Sequence, residues 1–226
     1  QGLGESFRVL AANAAARAIV LTGAGEIFCA GADISEFATA RNNAAAAAEY
    51  SRHVDAAETA IHEAPLPVVA AIRGPAIGGG CGLAVACDFR IGDATTRMGI
   101  PAARLSVVYS LKETQVLTEV VGARNAKRIL FSGDYFDAEE SRRLGLLDEI
   151  VEDPMAAAIA YASHVAERAP LSVRGAKTAI NAIASGHMAD IAEAYEALRA
   201  EAADSADYAE GQRAFMEKRK PVFRGV

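Results

Sequence analysis

Apolar positions along this chain fall into two kinds of run. Short continuous runs with β-branched members read as buried strands: residues 18–22 (AIVLT), bounded by Gly23 and Gly25, and residues 67–73 (PVVAAIR). Residues 89–92 read as a third strand. Spaced apolar positions predict helices. Phe7, Leu10 and Ala14 mark one face of a helix over residues 3–16. The alanine-rich segment 44–64 has high helix propensity until Pro65 and Pro67 stop it. Residues 81–87 read as a short buried helix. This alternation runs to about residue 100 and predicts an α/β layer with crossover connections.

The pattern changes beyond residue 110. Helices are predicted over 111–121, 123–131, 137–144, 155–168, 172–184 and 188–218, with one short strand over 147–151. Asp137 followed by Glu140 has the spacing of a helix N-cap, and Pro170 divides two of the helices. No internal repeat and no disordered linker stand out.

Composition narrows the class. The 226 residues carry 23 basic and 29 acidic side chains, a formal charge of −6, with 52% apolar and 23% charged residues. That balance suits a globular domain with a sizeable core. It argues against a nucleic-acid partner, which would need a basic face. No apolar run approaches the roughly 20 residues of a membrane span, and no signal peptide is visible at Gln1. Three cysteines, Cys29, Cys81 and Cys87, do not suggest a disulfide scaffold, so a cytoplasmic setting is expected. With neither CxxC nor HExxH, a dedicated metal site has little support.

The chemically informative segments are two glycine-rich loops, Phe28-Cys29-Ala30-Gly31-Ala32-Asp33 and Gly78-Gly79-Gly80-Cys81-Gly82. Each follows a predicted strand and leads toward a helix. Main-chain amides at a helix start lack intrahelical partners and can hold negative charge. Two of them converging on one point make an oxyanion hole. A phosphate-binding P-loop would need Gly-Lys-Ser/Thr after the glycines, and a dinucleotide fingerprint a third glycine; neither is present. The competing reading is a pair of tight turns that permit close helix–sheet packing.

At these two segments the chain resembles the crotonase, or enoyl-CoA hydratase/isomerase, superfamily. FCAGADISEF is similar to its F-x-A-G-x-D-[LI] loop, and PVVAAIRGPAIGGGCGLAVACDFRI to its second block. The likeness continues through GARNAKRILFSGDYFDAEESRRLGLLDEIV and AFMEKRKPVFRG. The resemblance implies an α/β crotonase fold of stacked ββα units over residues 1–165 and a helical trimerisation region over 166–226. It implies a homotrimer or dimer of trimers acting on an acyl-CoA, with no cofactor beyond the coenzyme A of the substrate. The thioester oxygen would be held by the amides of Ala32 and Gly79, with Ala30, Asp33, Ile34 and Gly78 around the substrate. Phe215 and Lys218 would reach the nucleotide end from a neighbouring subunit. Asp33 is also expected to cap a helix starting near Ser35, where the family often has a lysine. The family begins with a pair of strands ahead of the first helix, and those are expected to be missing from this sequence.

The pattern also fails in places. The two glutamates of a family hydratase would fall at Gly82 and Ala102, and a third acidic position used by some relatives at Ser110. None can exchange a proton as a carboxylate does, so ordinary hydration loses its acid–base pair. Tyr109 matches a tyrosine of the methylmalonyl-CoA decarboxylase branch, which needs an oxyanion hole and a proton donor but no strong base. That branch, however, has a histidine where Ala32 stands. Tyr109 is therefore a candidate donor or substrate orienter, or else a wall aromatic whose hydroxyl meets a backbone carbonyl. Glu113 is the nearest carboxylate after it and is expected in the first turn of a helix. His53 and His62, nine residues apart, do not share a helix face. Cys29 and Cys81 read as small buried fillers. Three functions remain open: a lyase of the enoyl-CoA hydratase family, an acyl-CoA decarboxylase using Tyr109, and an acyl-CoA-binding protein without catalysis.

Overall fold

The computed structural model describes residues 2–33 and 43–226. Its elements, in chain order, are α1 (Gly2–Ala12), β1 (Ile19–Leu21), α2 (Ala44–His62), β2 (Val68–Ile72), β3 (Pro75–Ile77), α3 (Gly79–Val85), β4 (Phe89–Gly92) and β5 (Arg97–Gly99). A 3₁₀ turn (Pro101–Leu105) leads to α4 (Leu111–Ser132), β6 (Phe136–Asp137), α5 (Ala138–Leu144), β7 (Glu149–Ile150), α6 (Pro154–Ala166), α7 (Pro170–Ser185), α8 (Met188–Ala203) and α9 (Ala206–Met216).

Two sheets organise the core. The first is fully parallel in the order β1-β2-β4-β7, and the second runs β3-β5-β6. In the second sheet β3 pairs with β5 in parallel and β5 with β6 antiparallel. Cys29 adds to that sheet by a parallel bridge to Ala76. Consecutive units therefore give one segment to each sheet before the next helix: β1 and Cys29, then β2 and β3, then β4 and β5. This is the stacked ββα architecture of the crotonase fold.

Burial explains why the strands read as apolar runs. Every residue of β2 is buried. Val68, Ala70 and Ile72 face a cluster with Ile61, Met98, Ile100 and Leu117, while Val69 and Ala71 face Ile91, Ala158 and Ala162 on the side covered by α6. A strand covered on both faces has no polar alternation to display. Arg90 is buried in β4, held by the Cys87 carbonyl (2.8 Å) and Asp148 (3.0 Å).

Sequence and structure differ at identifiable points. The first helix stops at Ala12 rather than residue 16, because Asn13 Oδ1 accepts from Ala15 N and offers the backbone a turn. The region 188–218 is two helices. Ser205 breaks it by capping α9, accepting from Tyr208 N at 3.1 Å. Gly122, at φ 74° and ψ 156°, separates the two halves of α4, as the predicted division at that residue requires. Asp137 caps α5 through Glu140 N (2.9 Å) as its spacing predicts. Strands β3, β5 and β6 were not anticipated, being only two or three residues long.

The C-terminal helices dock through polar contacts. Lys177 of α7 meets Asp88 (2.8 Å) and the Leu66 carbonyl (3.1 Å). Asp207 of α9 is buried and ties down the chain end, accepting from the N–H groups of Arg224 and Gly225 at 2.7 Å each. No described helix is long and apolar enough to cross a membrane.

Candidate active site

The second sheet brings the two glycine loops together. Cys29 N donates to Pro75 O and Ile77 N donates to Cys29 O, both at 3.0 Å. That pairing sets the turn at Gly31 beside the turn at Gly78. Gly31 has φ 93°, and a side chain there would stand 2.7 Å from the Ile77 carbonyl oxygen and 3.8 Å from the Gly79 nitrogen. Gly78, at φ 57° and ψ −122°, adopts a conformation open essentially to glycine alone. Gly80 lies against the Cys29 carbonyl with no room for a Cβ. The glycines therefore serve close packing and also leave main chain facing a cavity.

Ala30, Gly31, Ala32, Gly78 and Gly79 all line one pocket, with Ala102, Tyr109 and Glu113 on its other walls. The Gly78 N–H is used, donating to Gly99 O at 2.8 Å. Gly79 is the first residue of α3, so its N–H has no partner within the helix. Asp33 is exposed beside the pocket. Ile34, Ser35 and the helix expected there lie outside the described residues. Phe215 borders a different cavity, among the C-terminal helices with Tyr195, Tyr208 and Phe223. Lys218 is exposed just beyond α9 at φ 54°. Within one chain, neither is among the residues lining the glycine-loop pocket.

Tyr109 reaches the pocket on the stretch between the 3₁₀ turn and α4. Ser106 reverses the chain in the left-handed region (φ 55°), and Ser110 then caps α4. Its hydroxyl accepts from Glu113 N (3.1 Å) and Glu113 Oε2 accepts from Ser110 N (2.9 Å), a reciprocal capping box. The Ser110 hydroxyl also donates to Asp55 of α2 at 2.8 Å. Glu113 thus stands in the first turn, as expected, and lines the pocket. The Tyr109 hydroxyl, by contrast, is buried beside the Glu113 side chain and meets no backbone carbonyl among the described residues. Burial, then the carboxylates of Glu113 and Glu58, raise its pKa well above the ordinary tyrosine value.

One residue packed behind the pocket lining, against Tyr109, escaped the sequence reading. Glu58 of α2 is only 5% exposed, and its Oε1 has no hydrogen-bond partner among the described residues. Burial first, then the charges of Glu113 and Asp55, raise its carboxyl to about pH 8. It carries its proton at neutral pH. The signal was its register: Val54, Glu58 and Ile61 follow helical spacing on the inward side of α2, so a carboxylate sits on an apolar stripe. Cys81, fully buried in α3, is pushed up to about 12, as suits an inert filler. His53 is exposed beside Glu49, whereas His62 is half-buried near Glu119, with burial lowering its pKa.

Folded chain and pocket together define a crotonase-fold protein with two main-chain turns on one cavity. The sequence model described as enoyl-CoA hydratase/isomerase matches residues 1–226. The chain belongs to the enoyl-CoA hydratase/isomerase family. It is 35% identical to the short-chain-enoyl-CoA hydratase of Clostridium acetobutylicum, over 90% of this chain and 78% of the relative. It is 33% identical to the enoyl-CoA isomerase/hydratase of Mycosarcoma maydis, over 92% and 77%. Among solved structures, an enoyl-CoA hydratase/carnithine racemase from Magnetospirillum magneticum superposes with a TM-score of 0.90 at 37% identity, covering 100% of this chain and 85% of that one.

Proposed function

We propose that this chain binds an acyl-CoA thioester and stabilises the enolate formed beside its carbonyl, holding the oxygen between the N–H groups of Ala32 and Gly79. The observation that carries the reading is the Cys29–Ala76 bridge, which sets two glycine turns against one pocket. An enolate places its charge on the carbonyl oxygen, where fixed donors are most effective; one such donor is typically worth about 3 kcal/mol of barrier. Tyr109 and Glu113 line the same pocket and would offer polar side chains to the acyl group. The hydratase glutamate positions are Gly82 and Ala102 in this chain, so the reaction is a lyase or isomerase step run without that pair.

The same pocket admits a second reading, decarboxylation of an acyl-CoA, because loss of CO₂ generates the enolate without a base. The absence of carboxylates at positions 82 and 102 favours it. A screen of CoA thioesters by mass spectrometry, scoring retained ligands and products, tests both. Hydration of crotonyl-CoA supports the family reaction, and loss of CO₂ from methylmalonyl-CoA the second. Retention without turnover leaves a binding protein. No retained thioester overturns the proposal.

A further inference from the structure

In this family resemblance, position 82 is where a side chain from the second glycine loop would enter the acyl site. Here Gly82 has none, and the volume is occupied. The point where its Cβ would stand lies inside the contact distance of the Glu58 carboxylate, with Glu58 Cδ 2.9 Å away and Tyr109 Oη 3.2 Å away. Among the described residues Glu58 Oε1 is buried without a hydrogen-bond partner, and the Tyr109 hydroxyl is buried beside the side chains of Glu113 and Glu58. A buried carboxyl oxygen without a partner and a buried hydroxyl on the pocket wall thus flank one point, and an unsatisfied buried polar group calls for an explanation. We propose that α2 supplies a replacement carboxyl to the acyl site: Glu58 fills the space left by Gly82 and acts through the Tyr109 hydroxyl to move a proton to and from the α-carbon of a bound thioester.

This inference rests on the proposed thioester-binding function. With Glu58 ionised, a proton leaves the α-carbon for the Tyr109 oxygen as the Tyr109 proton passes to Glu58. The C–H electron pair becomes the enolate. In the return step Tyr109 protonates the carbon and Glu58 reprotonates Tyr109. Water exchanges the proton on Glu58, so in D₂O the net change is C–H plus D₂O giving C–D plus HOD. Tyr109 is the group that touches substrate, and Glu58 is a positioning residue for its proton. The charged and titratable groups around Glu58 are Asp55 on its own helix, Glu113 from α4, Tyr109 from the preceding loop and Cys81 from α3. Helix α1 meets α2 at Gly4, against Ala56 and Ala60.

The test is α-hydrogen exchange of butyryl-CoA in D₂O, read by mass spectrometry, beside calorimetric binding of the same thioester. Glu58→Gln is expected to bind butyryl-CoA within about threefold of wild type and to exchange at least about 100-fold more slowly, the low end of what general acid–base groups contribute. Wild-type exchange is expected to rise with pH and level off above about 8, where Glu58 is ionised. Returning a carboxyl to position 82, in the pair Gly82→Glu with Glu58→Ala, is expected to restore exchange that Glu58→Ala alone lacks. Wild-type exchange rates in Glu58→Gln overturn the inference. If Glu58→Gln does not fold, a flat wild-type pH profile overturns it. Binding of butyryl-CoA by wild type with no exchange overturns it too, while the oxygen-holding reading stands. If wild type binds no thioester, both fall.

Discussion

Glu58 and Gly82, from different helices, compete for one volume: the carboxylate of the first occupies the side-chain space of the second. Gly82→Ala is therefore expected to destabilise by about 1–3 kcal/mol through overpacking. Glu58→Ala in the same chain should relieve the clash, so the double variant is more stable than the sum of the single effects predicts. Urea denaturation of the four proteins checks this. Strict additivity would show that the two positions do not meet.

The Glu58 carboxyl also makes stability fall with rising pH. Its ordinary value is 4.5, and in the fold it is about 8. Between those values the folded chain keeps a proton that the unfolded chain has released. Unfolding free energy then drops as pH rises, by up to about 1.4 kcal/mol per unit. Glu58→Gln removes that slope. Its stability relative to wild type should grow from pH 5 to pH 8, measured by thermal melts across the range. A constant difference would place the Glu58 titration below this window.

Gly79 separates the donor from the side chain. A Cβ there would meet no atom of a non-adjacent described residue within 4 Å, and Gly79 is the first residue of its helix, a position that tolerates proline. Gly79→Ala keeps the N–H and Gly79→Pro deletes it. Thioester turnover is expected to fall further in the proline variant, by about 10²-fold relative to alanine. Equal losses would mean that the N–H is not the active group.

The buried Asp207 carboxylate holds the last residues through two main-chain N–H groups, and Arg17 adds a bond to the Arg224 carbonyl at 2.6 Å. Asp207→Ala should cost about 1–3 kcal/mol, since both donors lose their acceptor. Hydrogen exchange at Arg224 and Gly225 should accelerate well before the core amides respond. Uniform acceleration across the chain would instead indicate a global defect.

The sequence made the buried strands plain because β2 is apolar on both faces, and it marked the glycine loops because only glycine suits the turns at Gly31 and Gly78. It could not display the second sheet. Three-residue strands such as β3 and β5 carry no periodicity, and Cys29 joins them by a single bridge. Tyr109 was legible as a candidate but its surroundings were not, since Glu58 stands 51 positions away on a helix whose alanines concealed its inward face. Capping chemistry read well at Asp137 and was overlooked at Ser205, where a long helical pattern ran across the break.

The Cys29–Ala76 bridge has an evolutionary corollary. Because this ladder sets the two glycine turns side by side without help from any side chain, acids and bases nearby are free to be lost, moved or replaced while the main-chain frame of the pocket persists. A lineage built this way can change its side chains one substitution at a time without first dismantling the pocket.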